Sequence, residues 1–153
     1  MGSSTIRALH ALVALAHIDM GDAALTLADH LDEQSQAARK VEHGEAQINQ
    51  MGMVYERLVK PGAPVYAAAL GVLARQSMAG KAVLQEARSV HEQARQRVDE
   101  QRRVVHEHQG RHEGLSKILK EARAAHAAEV EKKAASERED LILVRRHLLE
   151  QGA

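Results

Sequence analysis

From Leu27 onward, alternating steps of four and three meet Leu27, Leu31, Gln34, Ala38, Val41, Glu45, Ile48, Gly52 and Tyr55. Six of these nine positions are apolar, and the neighbouring Asp29, Asp32, Glu33, Arg39, Lys40 and Glu42 mostly fall off the stripe. That is the heptad spacing by which one helix face packs on another. A second walk, in steps of three and four, meets Leu84, Ala87, His91, Ala94, Val98, Gln101, Val105, His108, His112, Leu115, Leu119 and Ala122, with eight of twelve apolar. It continues through His126, Val130, Ala134, Leu141, Val144 and Leu148, where consecutive steps of four mark a stutter that locally unwinds a supercoil. No alternating β-branched run supports a strand.

The two patterned segments are separated by "KPGAP", which holds the only prolines of the chain, Pro61 and Pro64. Pro61 pushes Lys60 out of the α region, Gly62 permits positive φ, and Pro64 suits the first turn of a new helix. So short a join connects antiparallel neighbours. The expected fold is therefore all-α: one long antiparallel two-helix coiled-coil hairpin with unequal arms. A first helix over about 5–59, a tip at 60–64 and a second helix over about 65–150 make a single unit, with Ser4 or Thr5 capping the first helix. Straight pairing from the tip sets residue i opposite about 124 − i, which puts Thr5 near Leu119 and His17 near His108. Residues from roughly 120 to 150 then overhang without a partner, although "LILV" (Leu141 to Val144), Leu148 and Leu149 are apolar.

Composition sharpens this picture. Among 153 residues 44% are hydrophobic but only 1% aromatic, so Ala supplies much of the apolar content and a compact core around a ligand pocket is not expected. There is no cysteine, hence no disulfide and no thiolate metal site. Lys+Arg and Asp+Glu balance at 21 each, so nothing draws the chain to nucleic acid. Residues 1–60 carry five basic and eight acidic side chains and the remainder sixteen and thirteen, a mild opposition that favours pairing of the arms. The apolar start "ALHALVALAHIDMG" reads as too short to span a bilayer and as interrupted by Asp19 and Asp22, so direct membrane insertion is not expected.

Ten histidines raise the question of metal, above all in "VVHEHQGRHEG". His108 and His112 share a helix face, but no H-E-x-x-H motif and no fixed third ligand accompany them, so no metal site is assigned. Flanked by Gly110 and Gly114, they read instead as a soft stretch of the second helix, which protonation near pH 6 would loosen further. No Gly-rich phosphate loop, G-x-S-x-G or cysteine nucleophile occurs, so no catalytic residue, no cofactor and no enzymatic activity are expected.

The terminal run "EVEKKAASEREDLILVRRHLL" resembles the C-terminal helix of the stalk proteins of type III secretion and flagellar export, the YscO/FliJ family. Those proteins end similarly in a Glu-Lys-Lys run, then Glu/Asp, then Arg-Arg, and here Glu131, Lys132, Lys133, Glu137, Glu139, Asp140, Arg145 and Arg146 occupy those places. Size, unequal arms and tip position are also similar. The aromatics that some relatives carry on the second helix are missing, as there is no Phe or Trp.

The resemblance implies a cytoplasmic stalk associated with the inner-membrane secretion apparatus and with virulence. Its terminal coiled coil would enter a hexameric secretion ATPase while its tip faces the export-gate membrane protein, and secretion chaperones are further partners of some members. Lys132, Lys133, Arg138, Leu141, Arg145, Arg146 and Leu148 would meet the ATPase, and Val59, Val65 and Tyr66 the export gate. A monomer is expected in isolation. The alternative is a generic coiled-coil scaffold or chaperone-like adaptor that dimerises through an exposed seam.

Overall fold

The computed structural model describes residues 2–62 and 66–152. Two helices account for nearly all of them: α1, Ser3–Leu58, and α2, Ala67–Gln151, with no strand among the described residues. The chain is an all-α antiparallel coiled-coil hairpin whose arms are 56 and 85 residues long. By Cα proximity it divides into two compact units, Met1–Gly21 with His106–Ala153, and Asp22–Val105, each holding a length of both helices.

The turn between the helices follows from its residues. The amide of Val59 still donates to the Tyr55 carbonyl at 3.1 Å, and Lys60 then leaves the helix. Gly62 takes φ +87°, the only positive φ among the described residues. Nothing lies within 4 Å of where a β-carbon would sit, so it is the positive φ itself, which L side chains rarely adopt, that makes glycine the residue of least cost here. Pro64 and Val65 lie outside the described residues. At the other end the cap differs from expectation. Ser4 and Thr5 are inside α1, whose first turn closes when the Thr5 amide donates to the Gly2 carbonyl at 3.0 Å.

In the unit 22–105 the seam of α1 runs through Ala23, Leu27, His30, Gln34, Ala37, Val41, Gly44, Ile48 and Met51, an unbroken alternation of four and three. Of the nine expected seam positions Leu31, Glu45, Gly52 and Tyr55 are exposed; His30, Gly44 and Met51 face inward one residue before the first three, and Ala37 is buried beside a half-buried Ala38. At Gly44 the reason is steric. A β-carbon on Gly44 would lie 3.1 Å from Leu84 Cδ1, and one on Gly80 would lie 3.0 Å from Ile48 Cδ1. Leu84 and Ile48 are knobs, and each needs a hole without a side chain at the facing helix. Glu45, turned outward, pairs with Arg88 at 2.9 Å, and Glu33 pairs with Arg97 at 3.2 Å. On α2 every one of the twelve positions from Leu84 to Ala122 is buried or half-buried. Val98, at 1% exposure, is the most enclosed large side chain described.

In the unit 1–21 with 106–153 the α1 seam is Ile6, Leu9, Val13, Ala16 and Met20, and α2 contributes His108, His112, Leu115, Leu119 and Ala122. The ring of His17 packs at 5.4 Å on that of His112, not on His108. Pairing is therefore about one helical turn further along α2 than straight counting from the tip suggests, in agreement with Gly44 facing Leu84. A four-residue slip keeps the same faces together, because i and i+4 lie one above the other.

The apolar reach of α1 also exceeds the expectation. Near its N-terminus it holds an 18-residue window of mean hydropathy 1.4, long and apolar enough by length and composition to cross a membrane, with 11% of that window buried. Alanines between the leucines raise the average despite Asp19 and Asp22.

Candidate functional site

The bare end of α2 is the candidate site. Leu119 and Ala122 are buried and His126 is half-buried, so the overhang starts later than the residue 120 expected from the sequence. Past it only Ala134 is half-buried, and Val130, Leu141, Val144 and Leu148, expected to continue the seam, are exposed. The helix nonetheless continues unbroken to Gln151, and the Gly152 amide donates to the Leu148 carbonyl at 3.1 Å. Its sequence accounts for that: no Gly or Pro occurs between Glu121 and Gln151, while Ala, Glu, Lys, Arg and Leu dominate.

Six large apolar side chains stand open in two turns, Leu141 to Val144 and Leu148 to Leu149, with Leu141 at 69% and Leu149 at 68% exposure. Helical spacing sorts the expected contact residues into groups. Arg138, Leu141, Arg145 and Leu148 follow steps of three, four and three, so they form one stripe of alternating cation and leucine. Lys132 and Arg146 are fourteen residues apart and lie on a neighbouring face with Ile142 and Leu149. Lys133 belongs to neither group. Its ammonium turns to Glu129 at 3.3 Å, and the hydrogen bond from Lys133, helped by its charge, holds the Glu129 carboxyl below its ordinary range. Lys132, Arg138, Arg145 and Arg146 are all exposed. Such a surface can present cations to carboxylates while its leucines enter an apolar collar.

At the tip, Val59 and Tyr66 are both exposed and stand on either side of the turn, whereas Val65 falls outside the described residues. Of the apolar run that follows, Leu70 and Leu73 line a groove with Tyr55, and Leu58 and Ala69 line another with Leu73, so this run largely anchors the tip. Between the helices further on lies a groove of about 460 Å³ floored by Ala37, Gly44 and Ala87, with Val83, Val90, Arg39 and Lys40 at its edges. Among the described residues no group of three or more His, Cys, Asp or Glu side chains is placed to hold a metal ion.

One surface escaped the reading of the sequence. Leu12, Leu15, Ile18 and Leu25 of α1 are exposed, with Leu15 at 57% and Ile18 at 56%. The signal was present, since Leu15, Ile18 and Leu25 repeat at helical spacing beside the seam residues, too many apolar positions for one stripe. No family model matches this chain, and no curated protein or solved structure does either.

Proposed function

We propose that this chain is the central stalk of a type III secretion system, coupling a hexameric secretion ATPase to the export gate. The observation that carries the reading is the bare, unbroken end of α2, in which Arg138, Leu141, Arg145 and Leu148 form a single stripe without an intramolecular partner. A stalk inside a ring needs length, stiffness and a charged end that meets several subunits in turn, and it performs no chemistry itself. Cations on the stripe pair with ring carboxylates while the leucines pack on an apolar collar, and the tip, with Val59 and Tyr66, faces the export-gate membrane protein. The setting is the cytoplasmic side of the inner-membrane secretion apparatus, with secretion chaperones as further partners. The resemblance of residues 129–149 to the YscO/FliJ stalks supplies the identity of the ring.

The test is a four-fold charge reversal, Lys132→Glu, Lys133→Glu, Arg145→Glu and Arg146→Glu, measured by co-sedimentation with the secretion ATPase of the same organism. Binding is expected to be abolished with helicity by circular dichroism unchanged. Binding that persists at wild-type strength overturns the assignment of the overhang to the ring.

A further inference from the structure

The overhang of α2 and the outer face of α1 are complementary. From Ala8 to Ala38 there is no Lys or Arg, while Asp19, Asp22 and Asp29 follow the exposed Leu15 and Ile18. From Leu141 to Leu149 there is no Asp or Glu, while Arg145 and Arg146 stand among exposed leucines. One surface is apolar with Asp19 beside it, the other apolar and basic, and Leu15, Ile18 and Asp19 belong to the same compact unit as residues 141–149. Each also has helical spacing: Leu141, Arg145 and Leu148 on α2, and Leu15, Ile18 and Asp19 on α1.

A chain that carries both halves of a contact satisfies them with a second copy of itself. We propose that two copies associate through these surfaces, Leu141, Arg145 and Leu148 of each packing on Leu15, Ile18 and Asp19 of the other. Because α1 and α2 run antiparallel, a two-fold axis beside the start of α1 lays each overhang parallel to α1 of the second copy. Both contacts then form at once, and association closes at two. The leucines lose water and the arginines meet aspartates, which gives the pairing both affinity and register. As regulation of the ATPase-binding end, the inference rests on the stalk reading: the free chain covers its overhang, and the ring competes with the second copy for it. The monomer expected from the sequence is then the ring-bound or dilute form.

Sedimentation equilibrium of the full chain over a wide concentration range tests this. The wild type is expected to dimerise. Arg145→Glu with Arg146→Glu, and separately Asp19→Arg with Asp22→Arg, are each expected to weaken the dimer by at least about tenfold without loss of helicity. Combining all four substitutions restores opposite charge and is expected to recover much of the affinity. A wild type that stays monomeric throughout, a dimer that neither pair weakens, or growth into open polymers overturns the proposal. Asp19→Arg with Asp22→Arg leaves the overhang intact, so this variant is expected to bind the ATPase at least as well as wild type. If no variant binds the ATPase while the dimer series behaves as stated, the stalk reading fails and the dimer stands; ring binding by a wild type that never dimerises gives the reverse result.

Discussion

Glycine has two opposite roles in these helices. At Gly52 nothing lies within 4 Å of where a β-carbon would sit, so Gly52→Ala is expected to stabilise the chain by about 1 kcal/mol, the ordinary helix preference of Ala. At Gly80 the added methyl would stand 3.0 Å from Ile48 Cδ1, and the crowding offsets that gain. Gly80→Leu would go further and cost about 1–3 kcal/mol through overpacking. Urea titration of the three variants checks the order. The same steric fact explains what the sequence concealed. A walk that favours apolar residues chooses Leu31 over His30 and cannot see that Gly44 faces inward, because at Gly44 closeness to Leu84 and not hydrophobicity selects the residue. On α2, where Leu84, Val98, Leu115 and Leu119 mark the seam, the walk was legible as far as Ala122 and failed beyond it, where Val130, Leu141, Val144 and Leu148 are exposed. Val98→Ala is expected to cost about 2 kcal/mol, the largest effect of any single Val truncation here.

At the scale of the helix, the legible part was the existence of two arms and the proline-bounded tip; the register was not. Counting from the tip assumes that both helices leave the turn at the same height, and the unequal ends at Leu58 and Ala67 remove that symmetry. The bare end of α2 was legible too, since its apolar residues outnumber anything that α1 could cover, but its start depended on the register and moved with it. Exposed ion pairs decorate these helices without deciding their stability. Glu92 is an instance: hydrogen bonds from Arg95 and then Gln96 hold its carboxyl below the ordinary 4.5. A carboxyl with a lowered folded-state pKa contributes its stabilisation above the unfolded value and loses it as pH falls through the folded one. NMR titration of Glu92 is expected to show a midpoint below 4.5 that returns toward it in Arg95→Ala. An unchanged midpoint in that variant would assign the shift to another group.

For the molecule as a whole, the division at residues 21/22 and 105/106 means that each unit draws on both arms. The stretch beyond His126 adds surface and almost no burial. Ending the chain after Ala127 is therefore expected to remove the proposed ATPase binding and the proposed self-association together, while the melting temperature by circular dichroism moves by no more than a few degrees. A collapse of the remaining hairpin would instead make those last turns part of its support. The outer face of α1 was signalled by an excess of apolar positions over one stripe, but which of them face outward becomes visible only once the inner face is known and subtracted.

Of the eight buried apolar side chains described, five are alanines: Ala16, Ala23, Ala37, Ala94 and Ala122. So little hydrocarbon leaves water on folding that the heat-capacity increment of unfolding should fall well below the roughly 12–15 cal/mol/K per residue of globular proteins. A flat stability curve follows from that, with cold exerting little pull on the folded chain.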